Sequence, residues 1–431
     1  MSAPGSSWGR YPRAVQKIIP LHWRDAALPA TTETLLPYGN GRSYGDSCLN
    51  DGGTLLHTRG LDRFIDFDPA SGVLCCEAGM LFSEILDFAV PRGWFLPVVP
   101  GTRFVTVGGA IANDVHGKNH HRAGTFGEHV RRFELLRSDG SRCQCSRDEN
   151  ADMFTATIGG LGLTGVITWA EFALKRISGP WLATETLRFR GLKEFFALSA
   201  ESERNCEYSV AWIDCAASGK AFGRGLFIRA NHVPNSPNHP APSRGRLGIP
   251  FTPPVSLINR ASLRMFNALY FHCPRQRFVL THYVPYFFPL DAIANWNRIY
   301  GPRGFLQYQC VVPPENAESR VTELLQLIAA NGGGSFLAVL KMFSDRPAAG
   351  ILSFPRAGVT LALDFPNRGA VTFALLEQLD DIVVAAGGAV YPAKDARMKG
   401  ERFRRYFPRW QAMLPHIDPR FSSGFWRRVM E

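Results

Sequence analysis

Apolar residues along this chain follow two rhythms, and the change falls near Pro180. Before it, stretches such as Leu74 to Glu77 and Val166 to Leu174 have the length of single strands. Leu81, Ile85, Phe88 and Ala89 recur at helical spacing and are closed by Pro91 and Gly93, which predicts one amphipathic helix. Three glycine clusters separate these stretches: Tyr38 to Asp46, Val107-Gly108-Gly109-Ala110 running on to His116-Gly117-Lys118, and Gly159 to Gly165. Glycine at that density marks backbone that turns sharply or approaches a ligand closely. After Pro180 the alternation lengthens. Strands are expected over Trp181 to Arg190, Tyr208 to Cys215 and Arg224 to Ala230, with a helix over Leu192 to Arg204. A similar order follows, with a strand at Phe305 to Val312 and a helix through Val321, Leu324, Leu325 and Ile328, stopped at Asn331-Gly332. Strands at Phe336 to Phe343 and Val359 to Phe365 lead to a helix through Leu375, Leu379, Ile382, Val383 and Ala386, ended by Gly387-Gly388. A β-α-β-β-α order predicts an α+β chain whose antiparallel sheet carries helices on one face. Asn231 to Pro254 holds seven prolines without periodicity and reads as a mobile surface loop or lid.

Composition narrows the class. A length of 431 residues suits two or three domains, and 45% apolar with 20% charged residues describes a chain that buries a large core rather than a disordered tail. The net charge of +11 points to phosphate-bearing partners, without choosing among nucleic acid, lipid headgroups and phosphorylated small molecules. Nine irregularly spaced cysteines do not make a disulfide scaffold, and neither Cys75-Cys76 nor Cys143-x-Cys145 has the spacing of a zinc site, so no metal is expected. Met1 to Lys17 has no apolar core of a signal peptide, and no apolar run reaches the ~18 residues that span a bilayer. A cytoplasmic or peripherally membrane-associated protein is expected.

The chemistry-bearing residues admit competing readings. Gly39-x-Gly41 resembles the opening of a dinucleotide fingerprint, but Tyr44 replaces the third glycine and Tyr44 to Gly53 will not hold the required helix. Plain turns remain, or a phosphate or nucleotide cradle assembled from several loops. Lys341 shares a strand face with Val339 and Phe343, so its ammonium lines a pocket, is buried with a partner, or snorkels to an edge. Gln307 and Gln309 point to one face, as hydroxyl-binding amides of a sugar site or as solvated residues. Trp212 is an apolar wall or plain core, and Lys394 beside Asp395 reads by itself as a solvated pair. His116, His120 and His121 lack a carboxylate or cysteine to complete a ligand set. Arginines interleaved with Phe403, Tyr406, Phe407 and Trp410 could stack on bases or pack against the first domain, and the second reading is preferred, with no nucleic-acid partner.

Ordered strings carry a family resemblance. Pro37 to Asp46, Pro100-Gly101-Thr102 with Val107 to Ala112, and Gly159 to Gly165 resemble the FAD domain of the p-cresol-methylhydroxylase/vanillyl-alcohol-oxidase superfamily. Gly41 to Asp46, His116 to His121, Phe305 to Gln309, Leu340-Lys341, Asp364-Phe365-Pro366 and Lys394 to Arg397 are similar to the decaprenylphosphoryl-β-D-ribose 2′-oxidase family, from about residue 35 to the end. The resemblance implies an FAD-binding domain over 1–179, a substrate domain over 180–388, and a segment 389–431 returning to the first, with the site where they meet. It implies FAD contacts from Gly39, Asn40, Gly41, Arg42, Ser43, Tyr44, Gly101, Thr102, Gly108, Gly109, Asn113, His116, Gly117, Gly162, Gly165, Val166 and Lys394. Substrate contacts would come from Trp212, Gln307, Gln309, Lys341 and Lys394, and catalysis from Lys394, His116 and Tyr44, with His120 and His121 as surface residues. The flavin is expected to be noncovalent, because Arg42-Ser43 stands where related oxidases use a tethering His and no Cys lies between Pro97 and Gly109.

The implied activity is oxidation of the 2-hydroxyl of a polyprenyl-phosphoryl ribose to the keto sugar, first half of an epimerisation to arabinose in arabinan or cell-wall biosynthesis. An NAD(P)H-dependent reductase would be the partner. The alternative is an FAD oxidase of a soluble sugar, alditol or aldonolactone. In one place the chain departs from the resemblance: Ala362 stands where drug-sensitive members carry a cysteine.

Overall fold

The computed structural model describes residues 4–234, 247–332 and 334–431. Two sheets carry the first part of the chain. Strands β1 (Lys17–Pro20), β2 (Leu35–Tyr38) and β3 (Thr54–His57) pair in parallel in the order β1-β3-β2. Strands β4 (Phe64–Asp68), β5 (Val73–Glu77), β6 (Val130–Leu136), β7 (Arg142–Ser146) and β8 (Val166–Ala173) form an antiparallel sheet ordered β4-β5-β8-β6-β7. Helix α1 (Phe82–Ala89) buries Phe82, Ile85, Leu86 and Ala89. It starts where the Glu84 carboxylate accepts the Leu81 N–H at 2.7 Å, and the following turn closes on Gly93 at φ +78°. The second glycine cluster is not all loop: Val107–Ala112 forms the short helix α2, capped by Thr106, whose hydroxyl accepts the Gly109 N–H at 3.1 Å. Val107, Ala110 and Ile111 face the core at helical spacing, and that burial outweighs the poor propensity of Gly108 and Gly109.

The second part is an antiparallel sheet of eight strands. In chain order these are β9 (Trp181–Phe189), β10 (Tyr208–Ile213), β11 (Gly225–His232), β12 (Phe278–His282), β13 (Phe305–Val312), β14 (Val339–Phe343), β15 (Gly358–Pro366) and β16 (Ala389–Val390). They lie in the order β12-β9-β11-β10-β14-β15-β13-β16. Helices α3 (Leu192–Asn205), α5 (Ala317–Ala330) and α6 (Ala370–Ala385) share one core with the sheet, while α4 (Arg260–His272) packs Phe271 against Trp212 and Leu226. Period-two alternation divides the sheet's faces. Leu306, Tyr308, Leu340, Leu361 and Leu363 join the core with the three helices, and their neighbours Gln307, Gln309, Lys341, Ala362 and Asp364 line a cavity.

Three expectations change. The strand expected from Phe336 pairs only from Val339, because the Phe336 carbonyl accepts the Trp212 indole N–H at 2.8 Å instead of joining the ladder. Ala389 and Val390 pair with β13, so the sheet runs two residues past 388. Of the proline-rich stretch 231–254, residues 235–246 lie outside the described residues, Asn231 and His232 end β11, and Leu247-Gly248 pair with Ile293-Ala294.

The final segment joins the two parts. Phe403, Tyr406, Phe407 and Phe425 are buried in the core under the sheet, which removes them as platforms for bases. Phe421 packs with Leu21, Leu35 and Leu56, and the Leu35 N–H donates to the Arg420 carbonyl at 2.7 Å. The first glycine loop meets the chain end backbone to backbone: the Tyr44 N–H donates to the Ala393 carbonyl at 2.9 Å, and a Cβ on Gly45 would overlap the Asp395 carbonyl oxygen. Arg428 ties both loops, bonding Asp46 at 2.6 Å and Asp395 at 3.1 Å.

Gly45→Ala is expected to force these loops apart at a cost of about 1–3 kcal/mol. Arg428→Met, which leaves two buried carboxylates without their cation, is expected to cost about 3 kcal/mol. Denaturant unfolding at neutral pH measures both, and changes under about 0.5 kcal/mol would show that the junction is not held there.

Candidate active site

A cavity of about 610 Å³ lies between the glycine clusters and the open face of the sheet. Gly39 to Tyr44 form one wall. Gly41 turns with φ +59°, and a Cβ there would overlap the Tyr38 hydroxyl, so this bend requires glycine. The Arg42 guanidinium stacks 4.4 Å from the Trp8 ring centroid and donates to the Asn40 carbonyl at 2.7 Å. Gly101 and Thr102, Gly108 and Gly109, and Gly162 and Gly165 line further stretches. No atom lies within 4 Å of where a Cβ on Gly101 would sit, so the space a side chain would take is left to the cavity. Long walls of accessible backbone from separate loops fit an extended dinucleotide such as FAD better than a compact ligand. Among the described residues Cys48 is the cysteine lining the cavity, and burial pushes its thiol up to about 12, far from the thiolate that a covalent tether would need.

Opposite these loops the sheet presents polar groups on fixed partners. Asp364 is buried and accepts the Gln307 amide N–H at 2.7 Å and the Tyr300 hydroxyl at 3.1 Å. Burial raises its carboxyl to about 6 against those bonds and the pull of Lys394. The Gln309 amide nitrogen sits 2.8 Å from His116 Nε2 and 3.2 Å from Thr360 Oγ1, and Lys341 Nζ is 3.2 Å from His116 Nδ1. A neutral imidazole has one N–H. A Lys341 ammonium donates to Nδ1, so the proton sits on Nε2 and faces the Gln309 amide, whose two ends are interchangeable and whose oxygen can accept it. The electrostatics agree: burial, with Lys341 next, holds His116 well below its usual range and so neutral, while burial pulls Lys341 down only to about 8, which leaves it an ammonium near neutral pH.

Lys394 Nζ lies 3.9 Å from the Tyr44 ring centroid. Burial lowers its ammonium to about 7, with Asp364 pulling upward and Lys341 pushing further down. Burial, then Asp364, raises the Tyr44 phenol well above its usual range, so it stays protonated.

The structure brings nearly all the residues singled out from the sequence to this one cavity: the glycine-loop residues with Asn113, His116 and Gly117, and Trp212, Gln307, Gln309, Lys341 and Lys394 from the other side. Val166 is the exception. Its side chain is fully buried with Leu35, Leu136 and Phe421, while its neighbours Gly165 and Ile167 face the cavity. His120 is not a surface residue but 2% exposed, its ring 4.4 Å from that of Phe343, and His121 is half-buried with Nε2 3.0 Å from the Cys206 carbonyl.

Sequence reasoning overlooked three supports. Tyr391 donates to the Asn113 carbonyl at 2.7 Å, Asp114 accepts the Ser353 hydroxyl at 2.5 Å and the Gly127 N–H at 3.0 Å, and Asp364 orients Gln307. The alternation of β15, which puts Asp364 on the face of Ala362, was a signal for the last of these.

Gly101→Val should leave the unfolding midpoint of the flavin-free chain unchanged while lowering flavin affinity at least about tenfold, because the added side chain projects into the cavity. Flavin fluorescence titration measures the second quantity; unchanged affinity would remove this loop from the binding wall.

Residues 26–146 match the family model of the FAD binding domain. Over 98% of its length this chain is 33% identical to the decaprenylphosphoryl-β-D-ribose oxidase of Mycolicibacterium smegmatis, covering 96% of that protein. Likeness to other proteins is partial. It is 31% identity over 30% of the chain for the L-gulonolactone oxidase of Mus musculus (29% of that protein), and 28% over 34% for the Δ(24)-sterol reductase of Homo sapiens (28% of that protein). Because the first likeness runs through both the glycine loops and the sheet facing them, the chain belongs to the decaprenylphosphoryl-β-D-ribose oxidase family of FAD-dependent oxidoreductases.

Proposed function

We propose that the protein oxidises the 2-hydroxyl of a polyprenyl-phosphoryl ribose to the 2-keto sugar with a noncovalently held FAD. One observation carries the reading: two pre-oriented amides and two half-buried lysines face a backbone-lined wall across a single cavity. The division of labour proposed is a flavin-holding part over 1–179 with 389–431 and a sugar-holding part over 180–388. When bound, FAD supplies the acceptor for the hydride leaving the carbinol carbon.

The chain's own groups do the rest. Gln307, held by Asp364, and Gln309, held by Thr360 and His116, present amides to sugar hydroxyls. Trp212 supplies an apolar wall. Neutral Lys394 takes the hydroxyl proton at Nζ, and burial makes that amine available near pH 7. Tyr44 positions Lys394 beneath its ring, and Arg42, Lys118 and Lys341 make the cavity cationic enough to favour phosphate. Lys118 is itself held by the Tyr286 carbonyl. An NAD(P)H-dependent reductase would return hydride to the other face of the keto sugar, completing inversion. Among the described residues no helix is long and apolar enough to cross a membrane, so the lipid-linked substrate would be met by peripheral contact. A soluble-aldonolactone oxidase is the weaker reading, because the likeness to L-gulonolactone oxidase spans 30% of the chain.

Anaerobic mixing with synthetic farnesyl-phosphoryl ribose is expected to bleach the visible flavin band. Bleaching by aldonolactones alone, with peroxide release in air, would overturn the assignment. The reduction rate should rise with pH and be half-maximal near 7, since the lowered Lys394 ammonium must lose its proton before it can accept one. Lys394→Ala should retain flavin and lose reduction by about 100-fold or more, with the pH step abolished.

Ala362 lines the cavity without a thiol. Thiol-directed inhibitors are therefore expected to leave the peptide carrying Ala362 unmodified, whereas Ala362→Cys should form an adduct at position 362, located by peptide mass spectrometry that separates it from the exposed Cys273.

A further inference from the structure

Residues 215–290 contain nine lysines and arginines and no aspartate or glutamate. An even spread of the chain's acidic residues would put about six there, so the segment is uniformly basic. Its described portion is also where large apolar side chains lie exposed. Helix α4 is apolar on two sides. Leu263 and Phe271 face inward, while Met265 and Leu269 are 64% and 67% exposed and Phe266 is partly so. Large apolar side chains on the side of a helix turned away from the core are normally covered. Nearby, Leu247, Phe251, Val255 and Leu257 are exposed ahead of α4, and Phe278, Val279 and Leu280 lie exposed on β12, an edge strand of the sheet. Arg260, Arg264 and Arg275 are exposed among them. Arg277 is exposed too, but is tied to Glu185.

We propose that this surface docks the protein on an anionic lipid bilayer, with α4 lying in the headgroup layer. Apolar side chains set among arginines, with the neighbouring Glu185 buried and neutralised by Arg229 and Arg277, are what an interfacial helix requires. The basic charge favours an anionic bilayer over a second copy of this chain, whose matching surface would bring like charge against like.

The surface also abuts the cavity. Tyr270 of α4 lines it, with its ring 4.8 Å from that of Trp212, and Leu247-Gly248 pair with Ile293-Ala294, which line it too. A phosphoryl sugar anchored in the bilayer would therefore reach the cavity while its lipid tail stays in the membrane. That last step rests on the proposed substrate; the docking itself does not.

The test is co-sedimentation of the full-length holoenzyme, without substrate, with phosphatidylglycerol/phosphatidylcholine vesicles. Binding is expected to the mixed vesicles, to be weaker at high salt, and to be absent with phosphatidylcholine alone. Met265→Ser/Leu269→Ser and Arg264→Glu should each lower vesicle affinity at least about tenfold, with the unfolding midpoint and flavin reduction by farnesyl-phosphoryl ribose in solution unchanged. Failure to bind mixed vesicles, or binding that ignores these substitutions, overturns the docking surface and leaves the proposed reaction standing. Light scattering that finds a dimer split by Leu269→Ser, without vesicle binding, assigns the face to a second copy and also overturns it. Vesicle binding without flavin reduction would instead remove the substrate and keep the surface.

Discussion

The close approach of Gly45 to the Asp395 carbonyl is the constraint on which the site depends. Two loops from opposite ends of the chain meet there with no side chain between them, and Arg428 neutralises the carboxylate that each contributes. The Tyr44–Ala393 backbone bond then fixes Lys394 over the Tyr44 ring. A cavity that needs one wall from the first loop and an amine from the last cannot form until this junction closes.

Inside the cavity, burial of like charges sets the chemistry. Lys341 and Lys394 are desolvated together, with Asp364 as the nearby anion for Lys394, and their ammonium groups fall toward neutral pH. His116 beside them is held neutral by burial and by Lys341, which lets one ring join Gln309 to Lys341 through both nitrogens. Lysines in water would stay charged and could only donate; here the protein obtains an amine able to accept a proton without any special residue type.

The sheet separates stability from recognition by alternation alone. Leu306, Tyr308, Leu361 and Leu363 pack with the helices, and the intervening Gln307, Gln309, Ala362 and Asp364 face the ligand space. Substitutions on the second set can change specificity at little cost to the core, as the small side chain at Ala362 illustrates. Beyond the cavity wall the same part of the chain turns outward as a basic, apolar surface, so the proposed sugar recognition and the proposed membrane contact would fall to neighbouring strands and one helix.

Much of this was legible in the residues. The helices at 82–89, 192–205, 317–330 and 370–385 follow from periodicity, the shared face of Gln307 and Gln309 from strand geometry, and the turning of the first glycine loop from composition. These properties are local, determined within a few residues by backbone sterics and the burial of apolar side chains. The helix at 107–112, the burial of His120, the core-facing side chain of Val166 and the descent of Lys394 toward neutrality were not legible, because each depends on what distant chain lies against it. Burial in particular is a property of the assembled fold: Lys394 beside Asp395 reads as a solvated pair until Arg428 claims the aspartate and Tyr44, 350 positions earlier, covers the amine.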